Sequence, residues 1–132
     1  MTVHGDRFRI SFPINPQNNP LDGHISLLCA TDRAAYTLVT TDYETVPDAA
    51  RLLDEIQSKV VGNLPVLRRE TVELPQADAT RRVMYRDEDG DIQVMLWVVA
   101  DLRLYQLGVV TTDADQESAG IPQFFESFQL FE

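Results

Sequence analysis

One stretch constrains this chain more than any other. Residues Asp91–Thr111 form its longest apolar run, broken once at Ala100-Asp101. Side chains alternate across an extended strand. Ile92, Val94, Leu96 and Val98 would therefore share one face, and Met95, Trp97 and Val99 the other. Past the break, Leu102, Leu104 and Val110 fall on one face, and Tyr105, Leu107 and Val109 on the other. A sheet with one wet face alternates apolar and polar residues; a sheet covered on both faces does not. The run thus predicts two neighbouring central strands with both faces dry. A single buried helix is the competing reading, and the β-branched and aromatic content with no 3.6-residue stripe argues against it. The polar Ala100-Asp101 pair permits a tight reversal, although it lacks the Asn-Gly of the commonest hairpin turns.

Two dry faces need two covers, and the chain offers two amphipathic segments. In Pro47–Val61, Ala49, Leu52, Leu53, Ile56 and Val60 make an apolar stripe, with Arg51, Asp54, Glu55 and Lys59 on the wet side. Glu55 and Lys59 stand in the favourable i, i+4 order. Pro47 and Asp48 suit a first turn, and Gly62 suits the position just past the end. In the second segment, residues 121–130, Ile121, Phe124, Phe125 and Phe128 recur at helical spacing behind Pro122. That pattern predicts a short helix docked on the sheet.

The remaining segments read as strands and turns. Residues 7–14 alternate, with Phe8, Ile10, Phe12 and Ile14 facing one way and Pro13 marking an edge or an end. Residues 15–23 are turn chemistry throughout. Residues 24–30 and 35–41 are two strands joined through Thr31-Asp32-Arg33. Residues 66–74 and 81–86 are two more, and Asp87-Glu88-Asp89-Gly90 turns the chain into the central hairpin. The second half is then a four-strand meander, followed by a polar loop after Thr111. The expectation is one α+β domain over 1–132. It holds an antiparallel sheet of about six to seven strands with helices at 47–61 and 121–130, an α/β/α sandwich.

Composition bounds the function classes. At 132 residues, 44% hydrophobic and 24% charged, the chain can bury a core without staples. A net charge of −10 repels phosphate, which argues against nucleic acid and anionic membranes as partners. Cys29 is the single cysteine, so no intrachain disulfide can form. No apolar run approaches the roughly 18 residues of a membrane-spanning helix. The first residues lack a signal-peptide core, so the sequence as written reads as cytoplasmic, or as periplasmic or envelope-bound if an export signal has been removed. Nothing in it specifies the oligomeric state.

Residues that could carry chemistry are few. His24 and Cys29 stand five apart, on opposite faces of one strand, so they cannot act as a nucleophile–base pair. His4 lies in an N-terminal stretch expected to be mobile. Asp87, Glu88, Asp89 and Asp91 suggest a cation loop, but the spacing fails the EF-hand pattern and fits a solvated turn. Asp113, Asp115 and Glu117 alternate in the next loop and could add weak ligands only if the two loops met. Ser127 has no histidine or nucleophile elbow near it, so a bond to its own helix is the ordinary role. No catalytic, metal or cofactor motif is present, so no cofactor is expected.

Two groups remain. Arg68, Arg69, Arg81, Arg82 and Arg86 lie on strands expected to be neighbours and could form a basic surface for an acidic protein partner. Cross-strand pairing with Glu70, Glu73 and Asp87 is the plainer role. Trp97, Tyr105, Phe124, Phe125 and Phe128 could line an apolar pocket between the last helix and the sheet, or simply be core.

The second half also resembles a known group. Arg103–Val110 (RLYQLGVV), an acidic loop and Phe124–Leu130 (FFESFQL) resemble the PsbP/DcrB-like superfamily, whose small bacterial members end in a strand with a Tyr-Gln-Leu core and a helix with a Phe-x-x-Ser-Phe core. Tyr105, Gln106, Leu107, Phe124, Ser127 and Phe128 occupy those positions. Residues Phe8–Pro13, the mid-chain helix and the meander extend the resemblance over most of the chain. It implies an α/β/α sandwich and a binding or assembly role without catalysis. It implies no particular partner, because no photosystem-binding or GTPase-binding motif is present. The expected function is a non-enzymatic interaction domain. A small-molecule or lipid carrier, using the apolar pocket, is the alternative.

Overall fold

A computed structural model describes residues 1–5, 7–18, 25–112 and 120–131. The predicted central run is a hairpin, β8 (Ile92–Ala100) and β9 (Arg103–Thr111), in register from Ile92↔Thr111 to Ala100↔Arg103. Its turn is Asp101-Leu102, one residue later than the sequence places it. Both turn residues have positive φ, 51° and 67°, as a two-residue hairpin of type I′ requires. Leu102 is therefore a turn residue, 45% exposed, and not part of an inward face.

The hairpin sits inside a seven-stranded antiparallel sheet. On one side β9 pairs with β5 (Ala34–Asp42), followed by β4 (Ser26–Ala30) and the two-residue β3 (Gln17–Asn18). On the other side β8 pairs with β7 (Ala79–Arg86), and β7 with the edge strand β6 (Val66–Glu70). The meander β6 to β9 is the one expected. The β4–β5 turn is held by Thr31, whose hydroxyl accepts from the backbone N–H groups of Arg33 and Ala34 at 3.2 Å. Residues 17 and 18 had read as turn; they form an edge strand on Leu27 and Leu28.

The strand pleat divides the core into two clusters. Ile92, Val94, Leu96, Val98, Tyr105, Leu107 and Val109 face one way. Trp97, Val99 and Leu104 face the other, with Val83 and Tyr85 of β7. The second face is covered by α1 (Ala49–Val60) through Leu53. Asp48 caps α1: its carboxylate accepts from Arg51 N at 3.2 Å. Gly62, at φ +56°, allows the chain to leave. Two stripe assignments shift at the helix end. Val60, the last helical residue, is exposed, and Val61, in the cap, is buried in its place. Within the helix, Arg51 pairs with Glu55 on the wet side, at 3.7 Å.

The first face carries a different cover. β1 (Thr2–Gly5), β2 (Phe8–Ser11) and β10 (Gln129–Leu130) form a small antiparallel sheet in the order β1-β2-β10. With α2 (Gly120–Glu126), it places Phe8, Ile10, Phe12, Phe124, Phe128 and Leu130 against the large sheet. The predicted helix over 121–130 therefore ends at Glu126. Past Ser127 the pattern changes period: Phe128 and Leu130 are buried while Gln129 and Phe131 are exposed, an alternation of two that suits a strand. His4, expected to lie in an unstructured terminus, is in β1 opposite Arg9. Ile14, predicted inward, is 46% exposed because β2 ends at Ser11. The fold is α+β, mostly sheet, with helices on both faces. Among the described residues, no helix is long and apolar enough to cross a membrane.

Candidate functional site

The five arginines do not form one stripe, because the pleat splits them. In the β6–β7 register Arg68 stands opposite Met84, Arg69 opposite Val83 and Glu70 opposite Arg82. Arg68, Arg82 and Arg86 thus share the face of the small sheet, and Arg69 and Arg81 share the face of α1. Arg81 is spent on structure. Its guanidinium lies 2.7 Å from the Asp54 carboxylate and donates to Gln57 Oε1 at 3.2 Å, tying α1 to β7. Arg82 is 3.6 Å from Glu70 and stacks its guanidinium 4.9 Å from the centre of the Phe125 ring. Arg86 donates to Gly90 O at 2.8 Å and braces the turn before β8.

Arg68 and Arg69 remain. Both are exposed, and neither makes an ion pair with another described residue. They lie on β6, where every residue is exposed and where no described strand pairs along the outer edge. Val66 and Leu67 on the same strand are 46% and 47% exposed. A bulge between Val66 and Arg68 bends this edge.

The aromatic group also divides. Trp97 is fully buried on the α1 face, where its indole N–H donates to Gln106 Oε1 at 3.2 Å. Tyr105, Phe124, Phe125 and Phe128 lie on the opposite face. There the rings fill the space against one another. Phe124 stands 5.1 Å from Phe12, 5.2 Å from Tyr36 and 5.4 Å from Phe125, and Tyr105 stands 5.3 Å from Phe128. Ser127 links this layer to β2. Its hydroxyl accepts from Ser11 N at 2.8 Å and donates to Phe124 O at 2.7 Å.

The acidic turn is also engaged. The Asp87 carboxylate accepts from the N–H groups of Asp89 and Asp91 at 3.0 Å and from the Gln93 side chain at 2.9 Å. The Gln93 bond, and then the backbone bonds, hold Asp87 below its ordinary value. Asp113, Asp115 and Glu117, like His24, lie outside the described residues. Among the described residues, no three His, Cys, Asp or Glu side chains gather as metal ligands. Cys29 is buried in the core opposite Tyr36, and burial pushes its thiol up.

A cleft of about 440 Å³, unforeseen from the sequence, opens at the end of the sheet where the β8–β9 turn lies. It forms where three tight turns meet. Arg7 stands at the tip between β1 and β2, Asp101 at the tip between β8 and β9, and Gln76 in a turn closed by Ala77 N to Leu74 O at 3.2 Å. All three have positive φ, at 70°, 51° and 75°. The Arg7 guanidinium pairs with the Asp101 carboxylate across the gap between the two sheets. Deeper in, Arg103 Nε bonds Asp42 Oδ1 at 2.6 Å, and that bond raises the Arg103 guanidinium above its ordinary value. Tyr105, Leu130 and Phe131 complete the wall. These residues are spread from position 7 to 131, so no local motif announces them.

No protein-family model and no curated protein matches this chain.

Proposed function

We propose that the chain is a non-enzymatic protein-interaction domain of PsbP/DcrB-like type, and that it takes an extended acidic segment of a partner protein along β6. The observation that carries this is the state of β6: a sheet edge on which no described strand pairs, exposed at all five residues, with Arg68 and Arg69 turned to opposite faces and not paired to described carboxylates. An edge strand offers outward N–H and C=O groups to an added strand, and side chains on either face select it. In a chain of net charge −10, an exposed pair of arginines is a local inversion of sign. It favours acidic residues at two consecutive positions of the added strand, one over each face. A second copy of β6 is a poor fit in the simplest register, centred on Arg68, because the two Arg68 side chains would stand opposite each other. The family part of the reading is supported by the way its Tyr-Gln-Leu and Phe-x-x-Ser-Phe positions meet in space, Tyr105 on Phe128 and Ser127 on β2.

The test is a titration of the ¹⁵N-labelled chain with a synthetic peptide carrying two adjacent glutamates between valines. Shifts concentrated at residues 66–70 are expected, weakening with salt. The double variant Arg68→Glu, Arg69→Glu should lose at least about tenfold in affinity with its denaturation midpoint unchanged. Equal binding by that variant, or shifts confined elsewhere, would overturn the reading.

A further inference from the structure

The cleft between the turn tips invites a ligand of a different kind from the one proposed for β6. Among the described residues its lining is charge-balanced, with Arg7 against Asp101 at the mouth and Arg103 against Asp42 deeper in. Its volume, about 440 Å³, lies in the range of small-molecule sites. One flank is apolar, formed by Leu130 and by Phe131, whose ring is 47% exposed. A simple anion entering this space meets two carboxylates, and a simple cation meets two guanidinium groups. A molecule that carries both charges a few ångströms apart meets neither penalty.

The two pairs differ in how readily they open. In the inner pair Asp42 is 58% exposed, but the Arg103 side chain is only 19% exposed and is held at 2.6 Å, so its guanidinium is part of the wall. The outer pair is 52% and 70% exposed, and pairs of that exposure contribute little to stability. Its partners stand on the tips of two separate hairpins, Arg7 at φ 70° and Asp101 at φ 51°, the latter as its type I′ turn requires. The two turns set a guanidinium and a carboxylate facing each other over the mouth of a cleft.

We propose that this cleft binds the α-ammonium and α-carboxylate of a zwitterion, a free amino acid or short peptide with an apolar side chain. Its carboxylate takes the Arg7 guanidinium and its ammonium takes the Asp101 carboxylate, each replacing the other member of the outer pair. The side chain lies along Leu130 and Phe131. Charge is conserved, no bond is made or broken, and the inner pair is left in place.

Isothermal titration of the full chain with L-phenylalanine, L-leucine and L-phenylalanyl-L-leucine tests this. A dipeptide that binds more tightly than either free amino acid identifies a peptide site; the reverse order identifies an amino-acid site, and either supports the zwitterion. N-acetyl-L-phenylalanine lacks the ammonium and L-phenylalaninamide lacks the carboxylate, so each should bind at least about tenfold more weakly. Arg7→Gln and Asp101→Asn should each weaken the zwitterion by a similar factor; asparagine tolerates the positive φ at position 101, so that variant keeps its turn. The charge-reversed β6 variant should bind the zwitterion as the unmodified chain does, which separates this site from the strand-edge reading. No heat from any zwitterion up to about 10 mM, or equal affinity for the two blocked analogues, overturns the proposal.

Discussion

Replacing Ser127 with alanine measures how firmly the C-terminal layer is tied to the fold. The Ser127 hydroxyl accepts the Ser11 N–H at 2.8 Å and donates to Phe124 O at 2.7 Å, so one oxygen links β2 to the last turn of α2. Both ends of this link are partly buried. Ser127→Ala leaves the Ser11 N–H without its acceptor, and a stranded, partly buried donor costs about 1–3 kcal/mol. The Phe124 carbonyl loses its donor as well, which adds roughly 0.5–1 kcal/mol. The sum, about 1.5–4 kcal/mol, is a large share of the 5–15 kcal/mol usual for a domain of this size. With a urea slope of about 2 kcal/mol per molar, the midpoint should fall by about 1–2 M. Ser58→Ala is the matched control. Ser58 is on the exposed side of α1, and alanine there should be neutral or stabilising by about 0.5 kcal/mol. Urea denaturation followed by tryptophan fluorescence and circular dichroism reads both variants. If Ser127→Ala unfolds within about 0.5 kcal/mol of the unmodified chain, the link carries no energy and its structural role is refuted.

Gly5 stands opposite Phe8 in the β1–β2 register, and the Phe8 ring occupies the space a side chain at Gly5 would need. Gly5→Ala should therefore displace Phe8 from the core and cost about 1–3 kcal/mol, read as a lowered denaturation midpoint. The Asp87 carboxylate titrates below its ordinary 3.8, so its contribution to stability is fully present above that unfolded value and is lost as the pH falls through the lower folded value. Amide shifts of Asp89 and Asp91 should report that midpoint below 3.8, and Asp87→Asn should abolish their common titration.

Much of this fold could be read from the chain because its signals are periodic and local. The dry hairpin follows from two runs that are apolar on both faces over most of their length, and α1 follows from its stripe, Asp48 and Gly62. The errors came where period and boundary are ambiguous. Phe128 satisfies both a helical spacing from Phe124 and a strand alternation with Leu130; the hydrogen bonds of Ser127 and the pairing of Gln129 with Arg9 choose the strand. Leu102 looked like core because leucine is no signal for a turn, and the hairpin register put it in one.

The sequence by itself determined that two central strands need covers on both sides, and it supplied α1 as one of them; the small sheet that joins α2 on the other face emerged only in the tertiary structure. Only the tertiary structure decided which side chains share a face. Alternation is a property of each strand, but its phase between strands is set by register, and a single bulge at β6 resets it. That phase sends Trp97 away from the phenylalanines and sets Arg68 on the face of Arg82 and Arg69 on the face of Arg81. It also leaves Arg81, Arg82 and Arg86 with structural contacts. The cleft was beyond any local reading, because Arg7, Asp42, Gln76, Asp101 and Arg103 are brought together only when the ends of several strands meet.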